Sequence, residues 1–112
     1  MKRGEIWTIA GGADYAGKPR PAIVIQSDSF DITTSVTVCP LTGDIIDNVY
    51  ARFIVQPSVQ NGLQTISHVM VDKILTLPKF KIGRRVGRLE PTDLARLNRH
   101  IALFLGLADR RE

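Results

Sequence analysis

The sequence predicts a mainly β domain, a small barrel of short strands with one α-helix at its C-terminal end. Three observations carry this. The first two thirds of the chain hold short, β-branched apolar runs, each closed by Gly, Pro, Asn or Asp. From about residue 90 the apolar spacing changes to threes and fours, at Leu94, Leu97, Ile101, Phe104 and Leu105, which is one face of a helix. The length of 112 residues, 44% hydrophobic and 23% charged, suits one ordinary core, so residues 1–112 are expected to form a single domain.

The elements follow in order. Glu5 to Ala10 has strand composition, and the glycines of Gly11 to Gly17 break it into a loop. Ala22 to Ile25 is the second strand, and Ser27-Asp28-Ser29 turns the chain. Ser35 to Thr42 is the third, with Pro40 removing one ladder hydrogen bond near its end and so marking an edge, a bulge or a bend. Tyr50 to Gln56 is the fourth, closed by Pro57, and Gln60-Asn61-Gly62 is a strong turn signal. Thr65 to Thr76 reads as a fifth strand. Pro78 to Gly83 suits one helical turn and Gly87 to Leu89 a last short strand. Glu90 or Thr92 then caps a helix that ends before Gly106, with Asp93, Arg96 and Arg99 facing away from its apolar stripe.

Charge and cysteine content narrow the function. The net charge of +4 favours a polyanionic partner without identifying one. The lone Cys39 permits no internal disulfide, is expected to be a buried thiol, and fits a reducing cytoplasm. No stretch approaches the length of a membrane span, so no membrane partner is expected. His68, His100 and Cys39 lack metal-ligand spacing, no glycine-rich phosphate loop leads into a helix, and no nucleophile-elbow motif is present, so neither metal nor other cofactor is expected. The basic cluster Lys79, Lys81, Arg84, Arg85 and Arg88 reads equally as a solvated edge and as a binding patch.

The stretch Gly17-Lys18-Pro19-Arg20-Pro21-Ala22 carries the sharpest local chemistry. Two prolines stiffen it, and Pro21 biases Arg20 toward an extended backbone, so a guanidinium leaves a rigid base beside the second strand. Other polar groups gather at strand ends: Asp14 and Lys18 in the first loop, Thr42 after the third strand, Asp72 and Lys73 in the fifth.

Taken together, Lys2-Arg3-Gly4-Glu5-Ile6-Trp7, Arg20-Pro21-Ala22-Ile23-Val24-Ile25, Pro40-Leu41-Thr42, Gly62-Leu63, Val71-Asp72-Lys73-Ile74 and Gly87-Arg88-Leu89 before the helix resemble the MazF/PemK/Kid family of toxin endoribonucleases, in order and over nearly the whole chain. The resemblance implies an SH3-like β-barrel with a C-terminal helix, as in CcdB and MazF. It implies a cytoplasmic homodimer that cleaves single-stranded RNA at short motifs without a metal, inhibits translation and growth, and is neutralised by a small acidic antitoxin. The family's Arg-Pro arginine falls on Arg20 and its strand-ending threonine on Thr42, the expected catalytic pair. The family's acidic loop residue falls on Asp14. Asp14, Lys18, His68, Asp72 and Lys73 are the expected substrate contacts, with Tyr15 beside them. Two departures stand out: Lys18-Pro19 lengthens the loop by one residue, and Met70 stands where some relatives have an arginine, which leaves Asp72 open to a role in pairing with a neighbour.

The chemistry stands without the family. Metal-free RNA cleavage needs the 2′-hydroxyl to attack its own phosphate, and cations to hold the charge that develops. A guanidinium contacts two phosphate oxygens at once and a fixed hydroxyl donates a third bond. Two other functions fit the same barrel: a gyrase poison like CcdB, acting through the helix end, and a non-catalytic RNA-binding barrel.

Overall fold

In the computed structural model, which describes residues 1–10, 18–46 and 50–108, seven strands and one helix are present among the described residues. The strands are β1 (Glu5–Ile9), β2 (Arg20–Val24), β3 (Ser35–Thr42), β4 (Phe53–Val55), β5 (Ser67–Val69), β6 (Leu75–Pro78) and β7 (Ile82–Arg88), followed by α1 (Pro91–Phe104). They form one antiparallel sheet in the order β4-β5-β3-β2-β1-β7, with β6 also paired to β3.

The fold is of the expected class, but among the described residues the sheet stays open instead of closing into a barrel. Its central strand explains the shape. β3 pairs with β2 along one side, while on the other its first half pairs with β6 and its last two residues with β5. The exchange of partners falls at Pro40, which has no N–H to offer a ladder and whose carbonyl accepts from the Met70 N–H at 2.9 Å.

Both faces of the sheet are buried, which is why β2 and β3 read as continuous apolar runs. Ile6, Ile23, Cys39, Leu41 and Val69 point to one side with Leu89 and Leu97, and Ile9, Ala22, Val24, Val36 and Val38 to the other with Leu77. Burial pushes the Cys39 thiol up to about 12, so it stays protonated and inert.

Several boundaries differ from expectation: β2 begins at Arg20 instead of Ala22, and β4 keeps only Phe53–Val55 of the run Tyr50 to Gln56. The run Thr65 to Thr76 is not one strand, because a 3-10 turn at Val71–Lys73 separates β5 from β6. A further 3-10 turn does occupy Lys79–Lys81, but the last strand is much longer than Gly87 to Leu89, running from Ile82 to Arg88 beside β1.

Helix α1 covers the side that holds Ile6 and Ile23, with Leu97 fully buried and Leu94 and Ile101 packed alongside. Glu90 is its N-cap residue and Pro91 fills the first turn, where a missing N–H costs nothing. It ends at Phe104, before Gly106, whose φ of +76° allows the Leu107 N–H to bond Ala102 O and its own N–H to bond Leu103 O. Arg96 does not face away as expected. It lies 4.7 Å from the Phe53 ring centre and donates to Ile54 O at 2.9 Å, so its stem and charge both seal the helix onto β4. His100 stacks at 4.6 Å on the same ring, and its Nδ1–H donates to Ala51 O at 3.0 Å.

Leu97→Ala would open a cavity where helix and sheet meet. It is expected to cost about 2–5 kcal/mol, read in urea denaturation as a lower midpoint with an unchanged slope.

Candidate functional site

The β2–β3 register builds the centre of the site. Ala22 lies opposite Pro40, Ile23 opposite Cys39 and Val24 opposite Val38. Carried two residues further, the same pairing sets Arg20 opposite Thr42, so the residue that opens β2 and the one that ends β3 are cross-strand neighbours. Arg20 Nη1 stands 3.5 Å from Thr42 Oγ1, at the outer edge of hydrogen-bonding distance.

Thr42 is 8% exposed, and its oxygen also accepts from the Asp44 N–H at 3.1 Å. That bond is the local turn contact a strand-end threonine makes. It also fixes the hydroxyl: with both acceptor positions turned toward N–H donors, the remaining O–H proton is the group left to give.

Arg20 and Thr42 line a cavity of about 430 Å³ at this end of the sheet. Pro19, Pro21, Leu41 and Gly43 complete the wall around them. Gly62, Leu63, Gln64 and Thr65, with Ser67, Thr8 of β1, and Arg84 and Val86 of β7, line the rest of the cavity.

The Gly62 part of the lining is held by buried polar bonds and backbone contact. Asn61 is fully buried; its side chain accepts from the Ser58 and Leu63 N–H groups and donates to Gln56 O. Gly62 has φ +70° and lies so close to Val86 that a Cβ there would fall 2.2 Å from the Val86 carbonyl oxygen, so only glycine fits. The turn signal in Gln60-Asn61-Gly62 therefore places a wall of the cavity.

Among the described residues, the other expected contacts do not line this cavity. Lys18 is exposed and precedes it, and Lys73 is exposed in the 3-10 turn after β5. His68 lies opposite Thr42 in the β3–β5 register but is buried, and it does not line the cavity. Asp72 is bonded through both oxygens to Arg52, at 2.8 and 3.2 Å, and this guanidinium holds its carboxyl below the usual carboxylate range. Asp14 and Tyr15 lie outside the described residues.

Sequence reasoning passed over Gln64, Thr65 and Thr8 as members of a site, and held Arg84 only as one of a basic cluster that reads equally as solvated edge and binding patch. For Arg84 a signal was present: glycines at 83 and 87 interrupt an otherwise charged strand, and strand glycines mark bulges and close backbone approach.

Comparison with known proteins places this geometry. Residues 2–105 match the family described as PemK-like, MazF-like toxin of type II toxin-antitoxin system. The chain is 45% identical over 108 residues to a probable endoribonuclease MazF of Mycolicibacterium smegmatis, covering 96% of this chain and 99% of that one. It is 30% identical over 117 residues to endoribonuclease MazF9 of Mycobacterium tuberculosis, covering 96% and 98%. Among solved structures, a mycobacterial endoribonuclease in complex with its cognate antitoxin superposes with a TM-score of 0.81 at 23% identity over 97% of this chain and 98% of that one. Mycobacterium tuberculosis toxin MazF-mt6 does so with 0.77 at 26% identity over 94% and 99%.

The Arg52–Asp72 pair carries a pH signature. Because the folded carboxyl titrates below its usual value of 3.8, the pair's contribution is complete above about pH 4 and is lost as pH falls through the lowered folded value. Asp72→Asn is expected to melt lower than the parent at pH 7 and to lose less melting temperature than the parent between pH 5 and pH 3. Equal losses in the two proteins would remove the linkage.

Proposed function

This chain belongs to the PemK-like, MazF-like toxins of type II toxin-antitoxin systems, and on that premise we propose that it is an endoribonuclease that cuts single-stranded RNA at the cavity between Arg20 and Arg84. The observation that carries the reading is the cross-strand pair Arg20–Thr42 at the mouth of that cavity. The curated relatives are endoribonucleases by name, which sets aside the gyrase-poison and non-catalytic readings.

The reaction follows from the donors at hand. The 2′-hydroxyl of one nucleotide gives its proton to a base and attacks the adjacent phosphorus, the P–O5′ bond breaks, and the leaving 5′-oxygen takes up a proton. The products are a 2′,3′-cyclic phosphate and a 5′-hydroxyl. As the phosphorane forms, negative charge grows on its non-bridging oxygens. Arg20 supplies two N–H donors and a permanent positive charge there, and the Thr42 hydroxyl supplies a third donor. Arg20 is not the base that takes the 2′ proton, since a guanidinium stays protonated in a protein. Both donors are set by strand pairing before substrate arrives, so little reorganisation accompanies the reaction.

The partners follow from family and charge. The superposed mycobacterial endoribonuclease is described with its cognate antitoxin. For this chain, with a net charge of +4, a small acidic antitoxin is the fitting regulator. A homodimer and a cytoplasmic site of action belong to the same reading. No helix among the described residues is long and apolar enough to cross a membrane.

The test is to incubate the protein with mixed-sequence single-stranded RNA in excess EDTA and map the product ends. Cleavage at one short motif with cyclic-phosphate ends is expected. Arg20→Ala and Thr42→Ala should each lower kcat by about 10²- to 10³-fold without lowering the melting temperature. An intact parent protein that leaves varied RNA uncut would overturn the assignment.

A further inference from the structure

Arg84 lines the same cavity as Arg20, and the way β7 runs past β1 puts it there. Trp7 pairs with Arg85 and Ile9 with Ile82, so two steps along β1 are matched by three along β7. The extra residue is a β-bulge at Gly83–Arg84, opposite Thr8. The bulge is tight. The Arg84 N–H donates to Thr8 Oγ1 at 2.9 Å, and a Cβ on Gly83 would fall 2.2 Å from that same oxygen. A second shift, between Ile6–Gly87 and Trp7–Arg85, falls at Val86, the other β7 residue that lines the cavity. Bulges re-aim side chains, and here they turn Arg84 and Val86 to the site while Arg85 turns to Glu5.

The charges agree with the geometry. Arg85 is paired with Glu5, Arg52 with Asp72 and Arg96 with Asp93. Among the described residues no carboxylate pairs with Arg84, and none lines the cavity. The site therefore has two cations, Arg20 from β2 and Arg84 from β7, on strands that flank β1. In the reading above, the phosphate being cut is met by Arg20 and Thr42. RNA carries a phosphate at every nucleotide, so a strand lying along the cavity brings a neighbouring phosphate to the second cation.

We propose that Arg84 is a substrate-positioning residue that grips a phosphate adjacent to the scissile one, so that the bulged β7 strand sets where the RNA backbone lies over Arg20. This rests on the endoribonuclease reading above. A contact of this kind is made in the ground state and the transition state alike, so its loss falls on KM and Kd more than on kcat. It reads no base, so it acts uniformly across sequences.

The experiment separates the two claims. Binding of uncleavable 2′-O-methyl single-stranded RNA is measured for the parent, Arg84→Ala, Arg84→Lys and, as a surface control outside the cavity, Arg88→Ala, over a range of salt concentrations. Melting temperatures check the folds, and Arg84→Gln replaces the alanine variant if that one does not fold. Arg84→Ala is expected to bind about tenfold more weakly. The slope of log K against log salt should shrink by about 0.7, the single-strand value for one phosphate contact. Arg84→Lys should keep the slope, and Arg88→Ala should bind like the parent. On cleavable RNA, KM should rise while the cut motif stays the same. Unchanged affinity and slope in a folded Arg84→Ala would overturn the proposal, as would a shift of the cut motif, which would make Arg84 a base-reading residue instead. If the parent binds the RNA but cuts none, the endoribonuclease reading fails while the salt slope still decides the phosphate contact.

Discussion

The antiparallel pairing of β2 with β3 is the constraint on which the rest of the molecule depends. It buries Ile23 and Cys39 on one face and Ala22, Val24 and Val38 on the other. It also carries Arg20 and Thr42 to the same place at the sheet's end. A slip of one residue would exchange the two faces along the strand, putting Ile23 where Ala22 belongs and separating Arg20 from Thr42. Core and site are thus specified by one register, and the packing that stabilises the fold also orients the donors. The stiffness of the Pro19-Arg20-Pro21 entry adds to this, since the backbone of Arg20 has little freedom left to lose on binding an anion.

The rest of the lining is built largely by different means, because of its members only Ser67 belongs to a strand paired with β3. The segment from Gln56 to Leu63 has no ladder to hold it. It is fixed instead by the Asn61 amide inside the protein and by glycine contacts too close for any side chain, Gly62 on Val86 and Gly87 on the Asn61 carbonyl. The Ser58 hydroxyl then reaches the Glu90 carboxylate at 2.6 Å, tying the segment to the start of α1. Helix, turn and β7 are thereby tied to one another beside the cavity.

Much of this was legible in the sequence, and the failures have physical causes. β3 was readable to its ends because β-branched residues fill it and Gly43 stops it. The Arg20–Thr42 pair was found through resemblance, while its contact became visible only with the register, which no local pattern encodes. The run Thr65 to Thr76 misled because its apolar residues continue through Val71, and Asp72 was the sole hint that the backbone turns there to meet Arg52. β7 was shortened because Gly83, Arg84, Arg85 and Gly87 carry little β propensity; pairing with β1 holds them in the strand. That Arg84 alone of its basic cluster lines the cavity was not readable, since a bulge depends on the neighbour's register. Arg96 was assigned to solvent by helical period alone, although its long stem folds back over Phe53.

The central claim is that Arg20 and Thr42 act as one unit fixed by strand pairing. The most direct test is a double-mutant cycle on RNA cleavage, with kcat/KM measured for the parent, Arg20→Ala, Thr42→Ala and the double variant. A shared unit predicts strong non-additivity, the double variant losing little more than the worse single one. Losses that multiply independently would show that the two residues contribute separately and would contradict the account.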